Sequence, residues 1–230
     1  MAKIVVFGGG SGVGLAAAKL LAARGDEVII AGRGVGPLEG FRTFAVDGTN
    51  VPAIRAFFEE VGAIDHLVIT AGATNRGGSF IGEVTDQTFR ETFDGKFWVQ
   101  VNVAHEGARY VTSGGSITLF SGGANRRALK GMVNVAAVNG ALDAIVPTLA
   151  LELAPTRVNS ISPGTLRTTY WTGTPDQQLE QIFDRVAKGL PVGRVGTAED
   201  IARAVLFVID SGFMTGTVLC VDGGLPHSSL

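Results

Sequence analysis

Residues Lys3 to Gly25, KIVVFGGGSGVGLAAAKLLAARG, decide how the rest of the chain is read. A short β-branched run, Ile4 to Phe7, breaks into Gly8-Gly9-Gly10-Ser11-Gly12-Val13-Gly14, and an Ala/Leu-rich stretch of helical period follows. The order is strand, glycine turn, helix. Glycine belongs where a turn demands positive φ or where a phosphate must approach the backbone closely. The helix that follows offers free N–H groups and a partial positive charge at its N-terminus. Gly8, Gly12 and Gly14 fill the glycine roles, with Ser11 and Val13 between them, in a G-x-x-x-G-x-G spacing distinct from G-x-G-x-x-G. A purely structural turn is the plainer alternative, and the surrounding strand and helix argue against it.

The same alternation continues outward. Strands are expected at Ile4–Phe7, Glu27–Ala31, Arg42–Ala45, His66–Thr70, Ser116–Phe120, Arg157–Ser162 and Val218–Val221. Helices are expected at Gly12–Ala23, Val51–Val61, Gln87–Tyr110, Met132–Leu153, Gln177–Ala187 and Ala198–Ser211. This βαβ rhythm predicts a doubly wound α/β fold of Rossmann type, a seven-stranded parallel sheet with helices on both faces. No linker or repeat divides the 230 residues, so residues 1–230 read as one domain. Loops at the carboxyl ends of parallel strands converge on one edge, where function is to be sought.

Composition narrows the function. Hydrophobic residues make up 46% and charged residues 17%, which suits a sheet buried on both faces. A net charge of -2 without a basic block gives nothing to attract nucleic acid or an anionic membrane. Cys220, the single cysteine, excludes an internal disulfide and reads as a buried core thiol in VLCV. His66, His105 and His227 show no metal-ligand spacing and read as structural or solvated. The short apolar run at the N-terminus is no signal peptide, and no membrane-length apolar stretch stands out, so a cytoplasmic, non-membrane protein is expected.

VVFGGGSGVGLA resembles the VxTGxxxGIG turn of the short-chain dehydrogenase/reductase family, with Phe7 in place of threonine. AVDGTN is similar to the family's segment whose Asp, here Asp47, sits near the adenine. DHLVITAGA is similar to DxLVNNAG and places Ala71 and Gly72 at those positions. The segments LALELAPTRVNSISPGTLRTT and GRVGTAEDIARAVLFVIDSGFMTGTVLCVDGG also resemble the family, and the likeness spans nearly the whole chain. It implies that the segment Pro163, Gly164, Leu166 and Thr168 holds the nicotinamide end of a cofactor. Tyr170 and Trp171 then either line a substrate pocket or pack a lid onto the body. It also implies a homodimer or homotetramer acting on a small molecule.

The second strand ends in Gly32-Arg33, at the place where dinucleotide folds meet the adenosine ribose. NAD-specific relatives put an acid there. Arginine instead suits the 2′-phosphate of NADP(H) through charge-assisted hydrogen bonds, the alternative being a solvated loop arginine.

The resemblance further implies an Asn-Ser-Tyr-Lys catalytic set, which this sequence lacks. Anchored on LALELAP, the tyrosine position falls on Val135 and the lysine position on Asn139. The serine position falls on Gly122 with Ser121 one residue earlier, and the asparagine position corresponds to Lys96. Valine has no exchangeable proton and asparagine no cation. Lys96, Ser121 and Asn139 are therefore the candidates for a rearranged catalytic site, against plainer readings of Lys96 as a solvated helical charge and Ser121 as a turn residue. Three activities stay open: an NADP-dependent oxidoreductase with an altered proton donor, a non-redox NADP-binding protein, and a cofactor-retaining lyase, cyclase or isomerase.

Overall fold

A computed structural model describes residues 1–72, 77–168, 171 and 173–228. Its centre is a seven-stranded parallel sheet formed by β1 (Lys3–Phe7), β2 (Glu27–Gly32), β3 (Arg42–Ala45), β4 (Ile64–Ile69), β5 (Val111–Phe120), β6 (Arg157–Pro163) and β9 (Val218–Val221). The spatial order is β3-β2-β1-β4-β5-β6-β9. A smaller parallel pair joins β7 (Leu166–Arg167) to β8 (Gly196–Thr197). Strands of two residues are too short to show a period in sequence.

Alternation along β1 divides the core. Ile4 and Val6 pack with Ala17, Leu21, Ile201 and Val205, from α1 (Gly12–Ala23) and α7 (Ala198–Asp210). Val5 and Phe7 pack on the other face with Ile54, Phe58, Val103 and Val146. These belong to α2 (Val51–Val61), α4 (Val99–Ala108) and α5 (Val133–Glu152). Period-two strands with helices on both sides give the doubly wound architecture.

Three expectations change. The segment expected as one helix over Gln87–Tyr110 is α3 (Asp86–Thr92), a π-helical turn (Phe93–Trp98) and α4. The wide turn contains Gly95, whose backbone freedom weakens the regular ladder there. Cys220 is exposed rather than buried, because β9 forms the edge of the sheet and, among the described residues, pairs only with β6. Finally, α5 is a helix of 20 residues with a mean hydropathy of 1.4, long and apolar enough to cross a membrane. Here it lies against β6 with Val138, Leu142 and Val146 fully buried.

The order of the strands reverses between β1 and β4, and the crevice at their carboxyl ends opens there. Thr70 and Ala71, just after β4, donate backbone hydrogen bonds to the Phe7 carbonyl at 2.9 and 3.0 Å. The turn after β1 is thereby fixed against the end of β4.

Candidate active site

A cavity of about 650 Å³ opens at this crevice. Gly8, Ser11, Gly12, Val13, Gly14, Arg33, Asp47, Ala71, Gly72 and Thr168 all line it. Glycine is required at two of these positions. A Cβ on Gly8, whose φ is +99°, would lie 2.4 Å from the Ala71 nitrogen, and one on Gly14 would lie 2.3 Å from the Gly8 carbonyl oxygen. The turn can therefore close only without side chains. Ser11 begins α1 without a side-chain cap, and the first turn carries no acid, so the helix N-terminus keeps its positive end open to the cavity. These features fit a dinucleotide pyrophosphate.

Arg33 is exposed on the cavity rim and forms no hydrogen bond or ion pair among the described residues. Asp47 is fixed by the backbone N–H and hydroxyl of Thr49, both 2.9 Å from Oδ1. Those hydrogen bonds, with a smaller contribution from the Arg33 charge, hold its carboxyl below the ordinary carboxylate range. The cavity lining thus carries both a fixed anion and an exposed cation.

Of the described residues in the segment after β6, only Thr168 lines this cavity. Pro163 ends β6, while Gly164 and Leu166 line a separate cavity of about 250 Å³. Gly164 lies against the Asp222 backbone, where a Cβ would come within 2.7 Å of the carbonyl oxygen. Trp171 does not line the main cavity. Its Nε1 donates to the Leu166 carbonyl at 2.8 Å and its ring meets Phe183 edge to face at 5.6 Å, so it fastens the segment down. Tyr170 lies outside the described residues.

Next to the cavity the structure brings Lys96, Ser121 and Asn139 together. Gly95 lines the cavity, and Lys96 follows it in the π-helical turn. The Lys96 stem crosses Gly72, where a Cβ would meet Lys96 Cγ at 2.8 Å. Its ammonium donates to the Ser121 carbonyl and to Asn139 Oδ1, each at 2.7 Å. Lys96 is partly buried, but its ammonium end is enclosed, and this loss of hydration pulls its pKa down to about 8. Asp143 acts in the opposite direction. Lys96 is thus not a solvated charge.

The roles within the trio differ from a simple tally of side chains. Ser121 takes part through its carbonyl, while its hydroxyl is buried with no hydrogen-bond partner among the described residues. Asn139 is 2% exposed. A Cβ on Gly122 would come within 3.0 Å of Asn139 Nδ2, so the asparagine occupies space that a residue 122 side chain would need. Sequence reasoning missed Gln100, which is fully buried and grips Phe120 from both sides. Its Nε2 donates to the Phe120 carbonyl and its Oε1 accepts from the Phe120 N–H, both at 2.7 Å. This clamp fixes the end of β5 from which Ser121 follows, and only its place four residues after Lys96 hinted at it.

Residues 8–226 match the sequence family described as enoyl-(acyl carrier protein) reductase. A short-chain dehydrogenase/reductase of Stachybotrys chlorohalonatus is 31% identical, over 96% of this chain and 96% of its own length. The chain belongs to the short-chain dehydrogenase/reductase family. Another member with a similar sequence is a 3-oxoacyl-[acyl-carrier-protein] reductase of Mus musculus, 29% identical over 96% of both chains. Among solved short-chain dehydrogenases, a crystal structure of a small-chain dehydrogenase in complex with NADPH superposes with a TM-score of 0.90. It is 40% identical and covers 98% of each chain.

Proposed function

We propose that this protein is an NADP(H)-dependent oxidoreductase acting on a small carbonyl, alcohol or imine compound, with Lys96 as the proton donor in reduction. The observation that carries the reading is the 2.7 Å contact between Lys96 and Asn139 beside the dinucleotide cavity. A cation with a pKa of about 8 is near the operating pH at which a general acid works best. The relative bound to NADPH supports the choice of cofactor, and so does Arg33, which is free to meet a 2′-phosphate.

In this reading the backbone of the Gly8–Gly14 turn and the N-terminus of α1 bind the pyrophosphate, Asp47 faces the adenine and Thr168 the nicotinamide side. Bound NADPH supplies the hydride. Lys96 holds a proton for the developing alkoxide or amine, and Asn139 Oδ1 with the Ser121 carbonyl aims the ammonium. Val135, at the tyrosine position, provides no acid. Simple ketones are therefore expected to turn over slowly, and activated or cationic acceptors to react faster. The test is NADPH oxidation with a panel of ketones and iminium compounds, comparing wild type with Lys96→Met and with Val135→Tyr/Asn139→Lys.

Val135 also favours a second reading, in which the cofactor is retained and the pocket serves a lyase, cyclase or isomerase. Product formation without net NADPH consumption would select it. We further read the protein as a homodimer or homotetramer. Support comes from the exposed Trp98 and Leu151 on the π-helical turn and α5, and from the open edge of β9. Sedimentation that shows a monomer at every concentration would contradict it.

A further inference from the structure

The two acceptors that hold the Lys96 ammonium, a carbonyl and an amide oxygen, are both neutral. No carboxylate lies within ion-pair distance of it among the described residues. An enclosed ammonium without a counter-charge tends to lose its proton rather than stay charged. Most charged groups on the elements packed around it face solvent or have partners of their own. Asp94 in its own turn, Asp86, Arg90 and Glu91 on α3, His105 on α4 and Glu152 on α5 are exposed, and Glu106 on α4 is paired with Arg55. The ends of β4 and β5 contribute no charge, which leaves Asp143 on α5. Arg126 follows the 3₁₀ turn (Gly123–Asn125).

Asp143 lies one helical turn beyond Asn139, and residues four apart share a helix face. The chain leaving Ser121 runs directly into the 3₁₀ turn that holds Asp143. From that turn Asn125 Nδ2 donates to Asp143 Oδ2 at 2.7 Å, and Arg126 approaches the same oxygen at 3.4 Å. Asp143 Oδ1 and Asn125 Oδ1 are both buried with no hydrogen-bond donor among the described residues. Two buried oxygens around Asp143 thus lack a donor, a setting that favours a nearby cation.

We infer that Asp143 is the counter-charge of the Lys96 ammonium, a positioning residue that keeps Lys96 cationic from one turn further along α5. Asn125 fixes its carboxylate, and Arg126 draws off part of its charge. The inference deepens the proposed role of Lys96 as acid, yet it concerns the charge state of Lys96 and can be measured without turnover. It accounts for the charge balance within the site: the cation sits on the π-helical turn, and its anion sits on the helix where the family likeness implies the cation.

The test is a pH titration of the Lys96 ε-carbon by NMR in protein labelled with ¹³C-lysine, with Lys96→Met assigning the resonance. Wild type is expected to titrate near 8. Asp143→Asn is expected to titrate lower by about 0.5–1 pH unit, roughly a three- to tenfold change in the protonation constant. Asp143→Glu should stay with wild type, and the exposed Arg126→Ala should titrate higher. If reduction is observed, the alkaline limb of its pH–rate profile should move with the titration in Asp143→Asn while the KM for NADPH stays put. An unchanged titration in Asp143→Asn overturns the inference, and if that variant does not fold, an unchanged titration in Arg126→Ala does so. Activity surviving in Lys96→Met would sink the acid role of Lys96 but not this inference, which the titration decides by itself.

Discussion

The Lys96 ammonium donates to Asn139 Oδ1 at 2.7 Å, tying the π-helical turn to the middle of α5. Each partner stands where the family likeness implies the other's residue type, asparagine before α4 and lysine on α5. The pair thus reads as a reciprocal exchange that keeps a cation and an amide in contact.

This exchange predicts how the two positions depend on each other. Asn139→Lys alone would set two ammonium groups in an enclosed space and is expected to lower stability by about 2–4 kcal/mol. Adding Lys96→Asn should recover more than half of that loss, because one cation and one amide then face each other again. Urea unfolding of the two single variants and the double variant completes the cycle. Strict additivity would show that the residues do not interact.

The pH dependence follows from the direction of the Lys96 shift. Its folded pKa of about 8 lies below the ordinary 10.5, so between those values the folded protein binds fewer protons than the unfolded chain. Stability from this group therefore rises with pH across that window, and it is lowest below pH 8, where both states are charged. Wild type should gain on Lys96→Met in thermal melts as pH increases through the window. Reduction should behave oppositely, falling about tenfold per pH unit above the folded pKa as the acid form is lost. Melting curves that run parallel at all pH values would refute the shift.

Arg33 has a separate role at the other end of the cavity. Arg33→Ala should weaken NADPH binding by about 1.5–3 kcal/mol and leave NADH binding nearly unchanged. Calorimetry with both cofactors checks this. Equal wild-type affinity for the two would remove the case for NADP(H).

Gly8→Ala tests the turn itself. Its Cβ would strike the Ala71 nitrogen at a backbone angle that alanine rarely adopts, so nucleotide binding should be lost and stability reduced by about 2–4 kcal/mol. Wild-type affinity in this variant would show that the turn has room to spare.

The sheet was legible because its strands carry β-branched runs bounded by glycine, and the turn because strand, glycines and helix follow one another without interruption. The π-helical turn inside the long helix was not, since FDGKFW retains helical composition and only Gly95 marks it. That turn is also why Lys96 reads as solvated in sequence, as its enclosure depends on Gly72 and Asn139 from distant segments. Cys220 looked buried because VLCV is apolar, and only the order of the strands shows that β9 is an edge. Gly164 and Leu166 lie in a family-like segment, yet they face a different cavity from Thr168, a distinction set by the pairing of β7 with β8.

The most direct test compares wild type and Lys96→Met for NADPH oxidation with the carbonyl and iminium panel, with NADPH affinity measured alongside. The account predicts a fall in kcat on the order of 10²–10³, since general acid assistance is lost, with the Kd for NADPH unchanged within about twofold. Lys96→Met turning over at the wild-type rate would contradict it, as would a wild type that binds NADPH and reduces nothing in the panel.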